Sequence, residues 1–185
     1  MKLNMGCGAR KEPGFLNVDI TRDCSPDVIW DMEKTPWPWE SNSTDSVLFS
    51  HSLEHVGADP QVFKEIIQEL YRVCTNGAEV LIRVPHPRHD DFLTDPTHVR
   101  AITSGTFSML SRRQNEAWIK VGSGHTPLAF YWGVDFEIKK VEYNPDEPFR
   151  TQFMEGKISS EQLAVVARER NNVIKEISIS LAVLK

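Results

Sequence analysis

The chain has 185 residues, 40% of them hydrophobic and 25% charged, which is the make-up of one globular domain with a single core. Its formal net charge is −5 and its isoelectric point about 5.7, so it lacks the broad positive field with which nucleic-acid-binding and membrane-surface proteins gather their partners. The three cysteines, Cys7, Cys24 and Cys74, contain no CxxC pair, the start Met1–Met5 has no leader-like apolar region, and no apolar run approaches a membrane span, so the sequence predicts a cytoplasmic protein with no disulfide framework, no membrane and no nucleic-acid partner.

In chain order, Leu3 to Met5 reads as a short first strand that runs into Gly6-Cys7-Gly8. Phe15 to Ile20 reads as the second strand and Val28 to Trp30 as the third, ending at Asp31. Only nine residues, Gly6 to Gly14, join the first two strands. A crossover with its helix needs at least about ten to twelve, so the first helix is predicted to be vestigial. Asp45 to Ser50 is a fourth strand. A helix follows, with Asp59 as N-cap, Pro60 in its first turn and an apolar stripe of Val62, Phe63, Ile66, Ile67 and Leu70. Asn76-Gly77 is read as its stop, and Glu79 to Val84 as the fifth strand, ended by Pro85. The stretch from Pro85 to Gly133 is rich in His, Asp, Pro and Gly, with one helical piece from Thr103 to Arg113. Phe136 to Tyr143 and Ile174 to Leu184 are closing strands, and between them Ser159-Ser160-Glu161-Gln162 opens a helix to about Arg170 with a capping box. Short apolar strands alternating with helices predict an α/β fold with a mostly parallel sheet, the closing pair forming an antiparallel element at one edge.

In open α/β sheets ligands bind at the carboxyl ends of the strands, and the chemistry-bearing residues fall there. Gly6-Cys7-Gly8 permits unusual backbone angles and a close approach by a ligand. Asp19, ending the second strand, is placed to accept both hydroxyls of a ribose. Asp31, ending the third, is placed to accept from an adenine amino group with Met32 against the ring. Each alone is an ordinary turn or cap residue, but together, after consecutive strands, they outline an adenosine site. The dinucleotide fingerprint asks for a third glycine where Lys11 stands, which favours an adenosine cofactor without a pyrophosphate.

Leu3-Asn4-Met5-Gly6-Cys7-Gly8, Asn17-Val18-Asp19, Asp31, Asp45-Ser46-Val47, Ser50-His51-Ser52-Leu53-Glu54-His55-Val56 and Leu70 to Gly77 resemble, in content and order, the class I S-adenosylmethionine-dependent methyltransferases of the type-11 kind. The resemblance spans about Lys2 to Pro87. It implies a Rossmann-like class I fold, shortened at the N-terminus, in a single domain over 1–185. The cofactor-binding half would be 1–84, the substrate or lid segment 85–133, and the closing strands and helix 134–185. It implies S-adenosyl-L-methionine as cofactor, with its methionine part flanked by Gly6 and Gly8 beside Cys7. Asp19 would hold the ribose next to Ile20, and Asp31 and Met32 the adenine. Ser50 and His51 would lie near the sulfonium and its methyl. Asn4 stands where many members carry an acidic residue, so its contact with the cofactor's ammonium is expected to be weaker or indirect.

The acceptor side is predicted from the segment after the fifth strand, where three histidines and three aspartates fall within the thirteen residues His86 to His98. Three readings stand open: a hydrogen-bonded loop, an acceptor site with a histidine as general base, and a metal site that orients acceptor hydroxyls. The candidates for the base are His51 and His86, then His98 and Asp91. His125 sits in a glycine-rich loop read as a candidate lid, and Trp118, Phe130, Tyr131 and Trp132 as candidate pocket walls. The predicted activity is methyl transfer to an oxygen or nitrogen of a small-molecule acceptor, a sugar or secondary metabolite being favoured. The alternatives are an inactive cofactor-binding partner subunit and, behind it, an NAD(P)-dependent oxidoreductase. A homo-oligomer that completes its lid from a neighbour is also open.

Overall fold

The strands form where apolar residues run or alternate between glycine and proline punctuation. They are β1 (Lys2–Met5), β2 (Leu16–Asp19), β3 (Val28–Ile29), β4 (Thr44–Ser50), β5 (Cys74–Pro85), β6 (Phe136–Pro145) and β7 (Ile174–Val183). In the computed structural model, which describes residues 1–185, they make one sheet in the order β3-β2-β1-β4-β5-β7-β6. The first five are parallel, and β7 runs antiparallel to β5 on one side and to β6 on the other. The antiparallel element thus lies toward one edge of a mostly parallel α/β sheet, as the alternation predicts.

Helix α1 (Pro60–Val73) joins β4 to β5, and Asp59 caps it by accepting from the Gln61 amide at 2.7 Å. Between β5 and β6 come α2 (Asp90–Leu93), α3 (Ser104–Ser108), α4 (Arg112–Lys120) and α5 (Leu128–Trp132). Between β6 and β7 come α6 (Phe149–Met154) and α7 (Ser160–Glu169), the latter opened by the expected capping box of Ser159 and Gln162. One face of the sheet carries Leu3, Met5, Val47, Phe49, Val80, Ile82, Ile177 and Ile179, and it packs on Phe63, Ile66, Ile67 and Leu70 of α1 and on Phe107 of α3. Each such side chain contributes about 1.5–3 kcal/mol by leaving water.

Crossovers between parallel strands are right-handed, so those leading from β1 to β2 and from β2 to β3 pass over the opposite face. Neither holds an α-helix, and the second has only a 3-10 turn at Arg22–Cys24. The vestigial first helix predicted from the nine-residue link is therefore absent altogether. The opposite face is mixed, with Leu48, Leu81 and Ala182 set among Ser46, Glu79, Arg83 and Ser180 around a shallow dish of about 440 Å³.

Two boundaries differ from expectation. Asn76-Gly77 does not stop α1. The helix ends at Val73 and the chain enters β5 at once, with Cys74 paired to Thr44. Gly77, at φ +81°, sits where the β4–β5 pairing slips before resuming at Ser46 and Glu79. The single helical piece from Thr103 to Arg113 is two helices, because Ser111 acts as a fresh N-cap, accepting from the Gln114 amide at 3.3 Å, and so begins α4.

Candidate functional site

The site begins at the end of β1. The amides of Gly6 and Cys7 both donate to the Val18 carbonyl, at 2.9 and 3.0 Å, and this bends the chain over β2. Gly6 has φ +69°, and a Cβ there would stand 2.4 Å from the Ser52 Cβ, so only glycine fits. Asp19, at the end of β2, accepts from the Gly8 amide at 2.8 Å and from the Thr21 amide at 3.0 Å. Each oxygen of this carboxylate is held by one backbone amide and keeps further acceptor capacity for a ligand hydroxyl.

Asn4, expected to reach the cofactor weakly or indirectly, is engaged within the chain. Its side-chain amide donates to the Arg10 carbonyl at 3.1 Å and to the Asn17 side chain at 2.9 Å, and it borders neither cavity described below. Asn17 in turn donates from its backbone and its side chain to one Asp27 oxygen, both at 2.8 Å. Those bonds hold the Asp27 carboxyl below the usual carboxylate range. Asn4 is thus part of a polar relay that fixes the helix-free loop between β1 and β2.

Two cavities open at the carboxyl end of the parallel strands. The smaller, about 470 Å³, is lined by Gly6, Gly8, Asp19, Ile20, Trp30, Asp31, Met32 and Glu33, with His51, Ser52, His55 and Val56 on its other wall. Met32 in its wall is held by the Trp-Pro-Trp stretch, where the Trp37 indole donates to the Met32 carbonyl at 2.9 Å and stands edge-on to Trp39 at 5.9 Å. Asp31 accepts from the Glu33 amide at 3.0 Å, which holds its carboxylate beside Met32.

The larger cavity, about 1230 Å³, is lined by Gly6 to Arg10, Ser50, His51 and Asp91, and by residues of the closing segment. The latter are Glu142 to Pro145 of β6, Lys175 and Glu176 of β7, and Arg150, Phe153 and Met154 of α6. These were not among the expected site residues, and topology explains why they belong. Because β7 is antiparallel, its first residues reach the rim where the parallel strands end, together with the last residues of β6. The available signal was the polar start of an otherwise apolar β7 and the Asn144-Pro145 stop of β6. Gly6, Gly8 and His51 alone border both cavities.

His51 follows β4 at φ +54°, a left-handed backbone that few non-glycine residues adopt, which turns its ring into the junction. Its Nε2 lies 2.8 Å from a Glu176 oxygen and its Nδ1 3.6 Å from a Glu54 oxygen. The adjacent Glu176 carboxylate, with Glu54 on the other side, pushes the imidazole pKa up to about 9 against the drag of burial. Asp91 reaches the larger cavity from α2 and lies 3.2 Å from the Lys175 ammonium. Cys7 is buried in the wall, and burial pushes its thiol up to about 11, so it is no nucleophile.

The other expected catalytic residues stand elsewhere. His86 borders neither cavity, its Nδ1 accepts from the Arg88 amide at 3.1 Å, and burial lowers its pKa. A neutral ring with Nδ1 engaged carries its proton on Nε2, so His86 is not placed as a base. His98 also borders neither cavity and is held by a 2.9 Å bond between its Nδ1 and the Phe92 carbonyl. Of the whole segment 85–133, only Asp91 enters the larger cavity, and the cover over that cavity is α6 instead. His125 stacks on Trp118 at 4.3 Å, and both border a separate hollow with Phe63, Leu128 and Trp132 that shares no residue with the two cavities. Phe130 and Tyr131 are exposed on α5.

No protein-family profile matches the chain, and no curated protein sequence does. Solved structures do. The chain is similar to a S-adenosylmethionine-dependent methyltransferase from Archaeoglobus fulgidus, at 21% identity and a TM-score of 0.62, over 98% of this chain and 85% of that one. It is similar to one from Methanosarcina mazei at 14% identity and a TM-score of 0.56, over 100% and 92% of the two chains. It is also similar to the [4+2]-cyclase SpnF, at 15% identity and a TM-score of 0.51, over 98% and 74%. The chain therefore has the Rossmann-like fold of class I S-adenosylmethionine-dependent methyltransferases. A fold shared with a cyclase does not by itself fix the reaction, so function has to be argued from the site.

Proposed function

We propose that the protein binds S-adenosyl-L-methionine and transfers its methyl group to an oxygen or nitrogen of a small molecule, sugars and secondary metabolites being the favoured acceptors. One observation carries the reading: a smaller cavity furnished for adenosine meets a larger, polar cavity only at Gly6, Gly8 and His51. Asp19 is the ribose partner, and Asp31 and Met32 are the adenine partners. The methionine part crosses the glycine turn, so that the methyl group emerges at the junction facing the acceptor. A dinucleotide fits less well, because no helix follows β1 and its pyrophosphate has no helix N-terminus to rest on.

In the transfer, the bond from methyl carbon to sulfur breaks as the bond from carbon to acceptor forms. The electron pair returns to sulfur, and S-adenosylhomocysteine leaves neutral at that atom. The sulfonium is already a strong electrophile, so alignment supplies most of the rate, about 7–11 kcal/mol in well-oriented systems. The acceptor's proton must go to a base. His51 is placed to donate, since Glu176 takes its Nε2 and Glu54 faces its Nδ1. We assign the proton to Asp91 on the far wall, which suits a nitrogen or an acidic hydroxyl acceptor.

The test is calorimetric titration with S-adenosylmethionine and S-adenosylhomocysteine, with NADH as control and Asp31→Ala alongside. Micromolar binding of both adenosyl ligands, weakened in Asp31→Ala, is expected. Binding of NADH alone would move the oxidoreductase to the front. Adenosyl binding without transfer of tritiated methyl to any of a panel of sugars, amines and phenols would favour the inactive partner subunit.

A further inference from the structure

We propose that Glu54, His55 and His98 form a binding site for a divalent first-row transition metal, zinc or a close relative, beside the smaller cavity. Glu54 sits in the 3-10 turn Leu53–His55 after β4. Its side chain is 1% exposed, and neither carboxylate oxygen has a hydrogen-bond partner. A buried carboxylate without a hydrogen bond costs several kcal/mol, and the His51 imidazole 3.6 Å from it, beyond hydrogen-bond reach, offsets only part of that cost. The groups that face the carboxylate are imidazoles: His51 Nδ1 stands 3.6 Å away on one side, and on the other a nitrogen of His55, a nitrogen of His98 and a Glu54 oxygen all lie within 4.8 Å of one another.

Both imidazoles are set in the form that binds metals. The Nδ1 of His98 lies 2.9 Å from the Phe92 carbonyl, which can only accept, so in the neutral ring Nδ1 carries the proton and Nε2 the lone pair. That Nε2 is 4.0 Å from Glu54 Oε1 and 3.8 Å from Asp95 Oδ2. The Thr97 hydroxyl donates to Asp95 Oδ1 at 2.6 Å, so its oxygen accepts from His55 Nδ1 at 2.9 Å and leaves the His55 Nε2 lone pair free. A carbonyl behind one imidazole and a Thr–Asp pair behind the other are the supports that metal-binding histidines use.

Lone pairs and a carboxylate converging on one volume repel each other unless a cation lies between them. A single proton satisfies one pair, whereas a metal ion satisfies all three. Two imidazoles and a carboxylate favour zinc and its neighbours over magnesium or calcium, which prefer oxygen. Donors about 2.0–2.2 Å from a metal stand somewhat closer than these do, a gap that small side-chain rotations close. Three protein ligands leave a coordination position for water or for an oxygen of a bound molecule. His55 also borders the smaller cavity, so that position is near the ligand. This last role rests on the methyltransferase reading, but metal binding itself does not.

The experiment uses the full chain, stripped with a chelator and titrated without cofactor with zinc chloride by calorimetry and with cobalt(II) by visible absorption. One equivalent of each metal is expected, at micromolar or tighter affinity, with cobalt bands of nitrogen ligation. His55→Ala and His98→Ala should each lose at least a hundredfold in affinity, and Thr97→Val about tenfold. No stoichiometric uptake by the unaltered protein, or uptake that both histidine variants leave intact, would overturn the proposal. Should His98→Ala fail to fold, the more exposed His55→Ala and the cobalt spectrum of the unaltered protein still decide it. Adenosyl binding measured on the same stripped protein separates failure here from failure of the methyltransferase reading.

Discussion

The two cavities share a junction but are made differently. The smaller is built by backbone and short side chains at the ends of consecutive parallel strands, each residue pinned by an amide or an indole: Asp19 by Gly8 and Thr21, Asp31 by Glu33, Met32 by Trp37. The larger is walled by long side chains of β6, β7 and α6, whose ion pairs and hydrogen bonds are mostly exposed. A pocket set by backbone recognises one constant ligand. A pocket walled by long side chains adapts to the other reactant, and related chains can change that wall without touching the first.

The largest expected effect tests whether the two ends are separate. Asp19→Ala should weaken S-adenosylmethionine binding at least a hundredfold in calorimetry, about 2.7 kcal/mol. Affinity within threefold of the unaltered protein would show that the smaller cavity is not the adenosine site. Next comes the glycine turn. Gly6→Ala should cost about 2–3 kcal/mol in urea unfolding, since its Cβ meets Ser52 at 2.4 Å in a left-handed backbone. Gly8→Ala should cost only about 1 kcal/mol, since at φ +49° its Cβ meets nothing within 4 Å. Equal costs would show that the turn relaxes as a unit.

Arg150→Ala, on the larger cavity alone, should raise the acceptor KM about tenfold while the cofactor Kd stays within twofold. A matching loss of cofactor affinity would merge the two pockets into one. The smallest effect concerns the link that leads into α6. Asp146 Oδ2 accepts from His89 Nε2 at 3.0 Å, a bond that holds the Asp146 carboxyl below its ordinary 3.8. A carboxyl lowered on folding adds stability that is complete above about pH 4 and drains as pH falls through the lowered value. Asp146→Ala should therefore cost about 1 kcal/mol at pH 7 and progressively less in acid melts. A cost that does not change with pH would rule out the bond from His89 to the carboxylate as its source.

The residues of the smaller cavity were legible in the sequence and those of the larger were not, for a physical reason. Gly6, Asp19, Asp31 and His51 follow strands one after another, so local pattern and position locate them together. Tyr143, Arg150 and Glu176 meet the same rim only through the antiparallel insertion of β7, which no local pattern encodes. Helices α1 and α7 were legible in their caps, Asp59 and Ser159, whereas the break between α3 and α4 hid in Ser111, which reads as a helix interior until its neighbours are packed. The partners of Asn4, Arg10 and Asn17, were not legible, because they depend on a loop without its helix. The histidine-rich segment kept three readings open because residue type alone does not say which ring nitrogen is taken. The bonds of His86 to Arg88 and of His98 to Phe92 do say so.

The helix-free crossovers beside β1 and β2 bear on how the protein lives in a cell. Strands clad on one side by a core and on the other only by the Asn4–Asn17–Asp27 relay bury less apolar surface than strands covered by helices on both faces, which favours local opening, and they carry Asp19 and the glycine turn. A cofactor that binds only the closed strands adds about 2.7 kcal/mol at a hundred times its Kd. In the proposed function S-adenosylmethionine then ties those strands together at their carboxyl ends, and the amount of intact protein follows the supply of its own substrate.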